Sequence, residues 1–193
     1  MNNITVFCGS SLGTDAQFEE NASLLGATLA KHKIGLVYGG ADIGLMGAVA
    51  NGALKQGGNV IGVLPKFLKT KEIAHTNLTE LIIVDSMHER KMKMNDLCDG
   101  VISLPGGLGT LEEFFEMMTW AQLGLHQKPI GLLNIGGYYD ALITMLKTMA
   151  DKGFMKASDH DLVLVSDNVD ELLHKMQNYV APPAIKWITD DTI

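Results

Sequence analysis

The 193-residue chain has two cysteines, Cys8 and Cys98, which are too few for a disulfide framework and form no Cys-x-x-Cys pair. That usage fits a reducing compartment, and the expectation is a cytoplasmic protein. Basic side chains are also scarce. The formal net charge of −7 argues against a general nucleic-acid binder, which needs a basic face, but leaves room for a small anion at a local positive site. No uncharged run reaches the roughly 18 residues that span a bilayer. Met1–Val6 lacks the basic-then-apolar pattern of a signal peptide, so neither a membrane role nor a cleaved leader is expected. The six histidines are scattered, with no His-Glu-x-x-His and no metal-ligand spacing, and no Gly-x-Ser-x-Gly nucleophile elbow occurs. Neither a metal nor an organic cofactor is expected.

The chain does have enough apolar residues, 47% against 19% charged, to bury a sizeable core, and its length suggests a single domain over residues 1–193. Short apolar, β-branched runs alternate with helical patterns. Strands are predicted at Ile4–Cys8, Ile34–Tyr38, Val60–Leu64, Leu81–Val84, Val101–Leu104, Ile130–Asn134 and Leu162–Val165. Helices are predicted over about Asp15–Lys31, Leu45–Gln56, Met87–Leu97, Leu111–Leu123, Tyr139–Lys152 and Val169–Gln177. This alternation implies an α/β fold, a doubly wound parallel sheet with helices on both faces. The near-continuous apolar strands fit burial on both sides. The least regular stretch, Pro65–Glu80, carries Lys66, Lys69 and Lys71 and is read as a loop over the site; Trp187 and Ile188 suggest that the tail docks.

Ligands in such sheets sit beyond the carboxyl ends of the strands, where three glycine-rich turns fall: Gly9-Ser10-Ser11, Gly39-Gly40-Ala41-Asp42-Ile43-Gly44 and Pro105-Gly106-Gly107-Leu108-Gly109-Thr110. In the last, glycines let the backbone approach a ligand and the following helix offers unpaired N–H groups, a combination suited to phosphate. A tight strand-to-helix turn would read the same. The loop is neither a Walker A sequence nor a dinucleotide fingerprint. Thr110-Leu111-Glu112-Glu113 fits a capping box, which gives Glu113 a structural role; its position beside the apolar arc Leu111, Phe114, Phe115, Met117, Met118 and Ala121 equally lets it face a crevice. The arc is wide and Trp120 lies outside it, which suggests a second buried surface such as a subunit interface. Arg90 is the only arginine beside 14 lysines, a hint that its planar fork is needed there. The alternative is a solvent-facing helix on which Glu89 and Lys93 pair.

Together these residues resemble the LONELY GUY (LOG) family, the cytokinin riboside 5′-monophosphate phosphoribohydrolases long mislabelled as lysine decarboxylases. Pro105-Gly106-Gly107-Leu108-Gly109-Thr110-Leu111-Glu112-Glu113 is similar to the family's Pro-Gly-Gly-x-Gly-Thr-x-x-Glu signature. Tyr38-Gly39-Gly40, Gly44-Leu45-Met46-Gly47, Met87-His88-Glu89-Arg90-Lys91, Trp120-Ala121-Gln122-Leu123-Gly124 and Lys128-Pro129-Ile130-Gly131 extend the likeness from Val6 to about Phe154. Ala41 departs from it, where plant members commonly have a third glycine. The resemblance implies a Rossmann-like homodimer that cleaves adenosine 5′-monophosphates, often N6-modified, to free base and ribose 5-phosphate. Carried over by motif, Arg90 and Glu113 are the catalytic pair. Lys91, Gly106, Gly107, Leu108, Gly109, Thr110, Thr119 and Glu72 contact substrate, with Ser10 and Gly40 added from the other glycine turns. A non-catalytic nucleotide or molybdenum-cofactor carrier on the same fold is the alternative. A pyridoxal-phosphate decarboxylase is disfavoured, because no lysine has an evident Schiff-base context.

Overall fold

The seven apolar runs become seven strands: β1 (Asn3–Phe7), β2 (Gly35–Tyr38), β3 (Val60–Pro65), β4 (Glu80–Val84), β5 (Gly100–Ser103), β6 (Ile130–Leu133) and β7 (Val163–Ser166). Among the described residues the α-helices are α1 (Ala16–Lys31), α2 (Gly44–Lys55), α3 (Met87–Leu97), α4 (Leu108–Gln122), α5 (Asp140–Asp151) and α6 (Val169–Gln177). The computed structural model describes residues 1–69 and 74–182. Lys71, Glu72, Trp187 and Ile188 therefore lie outside the described residues.

All strand pairs are parallel, in the order β4-β3-β2-β1-β5-β6-β7. Alternation along each strand feeds two cores. Ile4, Val6, Leu36, Tyr38 and Ile102 join residues of α1, α2 and α6 on one face. Phe7, Val37, Val101, Ile130 and Leu132 join Met94 of α3, Phe114, Met117 and Met118 of α4, and Leu146 of α5 on the other. Each large side chain so buried contributes about 1.5–3 kcal/mol. Thr5 is polar within β1, but its Oγ1 donates to the Met94 carbonyl at 2.9 Å, tying α3 to the sheet centre. Among the described residues no helix is long and apolar enough to cross a membrane.

Two expectations of helix capping are corrected. Helix α4 begins at Leu108, three residues earlier than expected, with Gly107 as its cap and no side-chain capping bond. Thr110 is thus in the first turn and buried, so the Thr110–Glu113 capping box is not made. The Ser-x-x-Glu arrangement occurs instead at α3. Ser86 Oγ accepts the Glu89 N–H at 3.1 Å, and Glu89 Oε2 accepts the Asp85 N–H at 2.9 Å. Glu89 is therefore engaged in capping rather than reaching toward Lys93, and Arg90 is buried rather than solvent-facing. Trp120 is partly buried against the same core as the α4 arc.

Ser86→Ala should cost about 1 kcal/mol through loss of the cap. The change should appear as a lower urea midpoint at unchanged m-value.

Candidate active site

Strand β1 is where the winding reverses. The chain leaving β1 crosses to α1 on one face, and the chain leaving β5, its neighbour, crosses to α4 on the other. Diverging loops at such a switch point open a crevice at the strand ends. The three glycine turns meet there. The Gly9 N–H donates to the Pro105 carbonyl at 3.1 Å, and the Leu45 N–H donates to the Gly9 carbonyl at 3.1 Å. Gly44 has φ +57°, and a Cβ on it would collide with the Ser10 backbone. A Cβ on Gly106 would collide with the Thr110 side chain.

The resulting cleft holds about 300 Å³, and its lining includes Cys8, Ser10, Gly39, Met46, Met87, Arg90, Met94, Gly107, Leu108, Gly109, Thr110, Glu112 and Glu113. Beyond the Gly9–Ser10 turn it adjoins an apolar hollow lined by Leu12, Phe18, Leu45, Gly106 and Tyr138. The N–H groups of Leu108, Gly109 and Thr110 have no acceptor among the described residues. They form the positive end of α4, and a tetrahedral anion fits this kind of terminus.

Arg90 is only 7% exposed, and its guanidinium closes one wall. Its Nε donates to the Val63 carbonyl at 3.1 Å, and its Nη2 donates to the Gly39 carbonyl at 3.0 Å. Gly39 directly follows the end of β2, and Val63 lies within β3 just past its last residue paired to β2. The nearest Nη1 partner is the Met87 sulfur at 4.0 Å, so most of the fork's donors stay free for a ligand. Gly39 must be glycine for a steric reason: a Cβ there would collide with Arg90 Nη2.

Glu113 stands on α4 in the same cleft. Burial pushes its carboxyl up to about 7; Arg90 and Lys91 oppose the rise, while Glu112 and Glu116 add to it. The Cys8 thiol is pushed up by burial and by Glu113, and so stays neutral. Among the described residues no group of three or more His, Cys, Asp or Glu side chains is placed to hold a metal ion.

The structure brings Arg90, Glu113, Ser10 and Gly107 to Thr110 into one cleft, with Gly106 beneath the loop. Of the other described candidates, Lys91, Thr119 and Gly40 are not part of the lining. Lys91 sits at its edge, with Nζ 2.6 Å from Glu112, which does line the cleft, and 3.0 Å from Glu116. Thr119 is exposed, and its Oγ1 donates to the Phe115 carbonyl. Gly40, with φ +82°, packs toward β3 and accepts the His75 N–H at 3.0 Å. Glu72 lies outside the described residues. Reading the sequence passed over Gly39, Cys8, Met46, Met87 and Met94. Methionines on helices read as core, and only the doubled glycine after Tyr38 pointed toward Gly39.

Gly39→Ala should displace the Arg90 fork and destabilise the fold by about 1–3 kcal/mol through overpacking. Denaturant unfolding measures this, and Gly40→Ala, whose neighbours are Leu81, Leu64 and Val63, should leave Arg90 in place.

Known proteins place the cleft in context. The family model described as "Possible lysine decarboxylase" matches residues 46–176. The chain is 47% identical over 176 residues to the rice (Oryza sativa subsp. japonica) protein named "Probable cytokinin riboside 5′-monophosphate phosphoribohydrolase LOGL1", covering 91% of this chain and 79% of that one. It is 44% identical over 176 residues to cytokinin riboside 5′-monophosphate phosphoribohydrolase LOG7 of Arabidopsis thaliana, covering 91% and 81%. Among solved structures, the molybdenum cofactor binding protein of Rippkaea orientalis superposes with a TM-score of 0.68 at 22% identity, covering 91% of this chain and 94% of that one, a likeness of fold alone. On the matched family model and on relatives at this identity over nine-tenths of its length, the chain belongs to the LOG family of cytokinin riboside 5′-monophosphate phosphoribohydrolases.

Proposed function

We propose that the chain hydrolyses the N-glycosidic bond of adenosine 5′-monophosphate and its N6-modified forms, releasing free base and ribose 5-phosphate. One observation carries this reading. A single cleft combines the free N–H groups that open α4, a buried guanidinium and a poorly solvated carboxylate, Glu113.

The phosphate sits on the N–H groups of Leu108, Gly109 and Thr110, with Ser10 alongside. Binding energy drawn from the phosphate positions the ribose for a reaction at its anomeric carbon. Breaking the bond leaves positive charge on the sugar, as in glycoside hydrolysis generally. The Glu113 carboxylate stabilises that charge and orients the attacking water. Arg90 binds the sugar phosphate and favours the ionised form of Glu113 against the effect of burial. The methionines Met46, Met87 and Met94 supply a polarizable apolar wall for the base. A carrier would use the same glycine turns, but it gives the pairing of Arg90 with Glu113 no task.

We also propose a homodimer acting in the cytoplasm. Leu123 and Leu125 at the end of α4 are 49% and 69% exposed, and Phe115 and Trp120 on the same helix are only partly buried. Both cysteines are free thiols, as a reducing compartment allows. Sedimentation at micromolar concentration should give a dimer; a monomer would remove the proposal.

Chromatography after incubation with adenosine 5′-monophosphate and isopentenyladenosine 5′-monophosphate should show free base and ribose 5-phosphate, with the unphosphorylated nucleosides left intact. Glu113→Gln should fold and lose turnover by on the order of a thousandfold. If that variant kept near-normal turnover, the mechanism would fail. The active form of Glu113 is the carboxylate. In the wild type kcat/KM should therefore drop about tenfold per pH unit below about 7 and level off above it.

A further inference from the structure

The family likeness assigns Lys91 to the substrate, but its ammonium is engaged elsewhere. It lies between two carboxylates one helical turn apart on α4, with Nζ 2.6 Å from Glu112 Oε1 and 3.0 Å from Glu116 Oε1. The Lys91 side chain is 15% exposed and that of Glu116 24%, so the pair is sheltered, whereas Glu112 is 56% exposed.

The chain order gives this cluster its significance. Lys91 follows Arg90 directly on α3, and Glu112 precedes Glu113 directly on α4. Successive helical residues point about 100° apart, so α3 sends Arg90 into the cleft and Lys91 toward its edge, where it meets Glu112 on the rim of the lining beside Glu113. Helix α3 packs on strands β1, β2, β3 and β4, and α4 packs on β1 and on the short 3-10 helix Ala157–Leu162. The two ion pairs are direct side-chain bonds from one helix to the other.

We propose that Lys91 is a positioning residue: together with Glu112 and Glu116 it clamps α3 to α4 and so fixes the spacing across which Arg90 and Glu113 act. This rests on the reading of the cleft given above. The clamp also acts on Glu113 electrostatically. The charged and titratable groups that bear on Glu113 are Arg90 and Lys91 from α3, Glu112 and Glu116 from α4, and Cys8 from the end of β1. Lys91 favours the ionised carboxylate, and Glu112 and Glu116 oppose it.

The test measures kcat, KM and the acid limb of kcat/KM for Lys91→Met, Lys91→Arg, the double variant Glu112→Gln/Glu116→Gln and their triple combination. All are assayed with adenosine 5′-monophosphate beside Glu113→Gln. Misplacing the pair should lower kcat on the order of tenfold to a hundredfold in both Lys91→Met and the double variant, with KM within about threefold of wild type. The triple combination should be no worse than either, because all of them break one unit. Lys91→Arg, which keeps the charge and the reach, should recover most of the loss. The acid limb should move to higher pH in Lys91→Met and to lower pH in the double variant, an opposite pair of shifts that mere loosening of the fold does not produce. Should Lys91→Met fail to fold, the double variant carries the same test.

A KM raised tenfold or more by Lys91→Met, with the double variant near wild type, would overturn the clamp and return Lys91 to the substrate. Wild-type constants in both would reduce the cluster to a surface ion pair. Turnover by Glu113→Gln would instead overturn the reading of the cleft, whatever the Lys91 variants show.

Discussion

A guanidinium can be buried only where fixed acceptors replace its lost water, since an uncompensated buried charge costs several kcal/mol. In this fold the acceptors for Arg90 are the carbonyls of Val63 and Gly39, which lie just past the point where β2 stops pairing with β3. Much of the local architecture follows from meeting that requirement. Gly39 must lack a Cβ, because the guanidinium occupies the space a side chain would take. Helix α3 must start where it does, and the bonds made by Ser86 and Glu89 fix that start at Met87, three residues before Arg90. Thr5 then anchors the far end of α3 at Met94. The cleft wall is thus set by backbone positions of the sheet.

The opposite wall works by a different means. Helix α4 begins inside the glycine loop without a side-chain cap, so its first N–H groups stay available. A side chain capping them would have occupied the anion's place. In the proposed function a chain of net charge −7 holds a phosphate by local means. There the attraction would come from oriented dipoles and one arginine, while the diffuse negative charge of the surface is screened within about 8–10 Å.

The sheet and its helices were legible because strands covered on both faces must be apolar throughout, a pattern that Ile130–Leu133 and Val60–Pro65 display plainly. Arg90 was legible through its rarity. The capping assignment was not, since Thr110-x-x-Glu113 and Ser86-x-x-Glu89 carry the same local signal and only the path of the loop decides which one starts a helix. The direction of Lys91 was half legible: helical geometry forbids it to share the orientation of Arg90, but the presence of Glu112 and Glu116 opposite depends on how two distant segments pack. The methionine wall was hidden, because Met46 and Met94 obey the core pattern while also lining the cleft.

The two cations beside Glu113 are held in contrasting ways, and the contrast bears on how the cleft works. Arg90 is bound by neutral carbonyls, and among the described residues no carboxylate lies within ion-pair distance of it, so its charge acts undiminished on the cleft. Lys91 is paired with two carboxylates, so its charge is largely cancelled before it reaches the cleft. A carboxylate that must stabilise a cationic sugar has to be poorly solvated to act strongly, yet ionised to act at all. Burial alone would keep Glu113 protonated through neutral pH, and a close salt bridge would ionise it but use up its charge. An unneutralised guanidinium held at a distance by two backbone carbonyls lowers the cost of ionisation while leaving the carboxylate oxygens free, which is the compromise that a titration near 7 expresses.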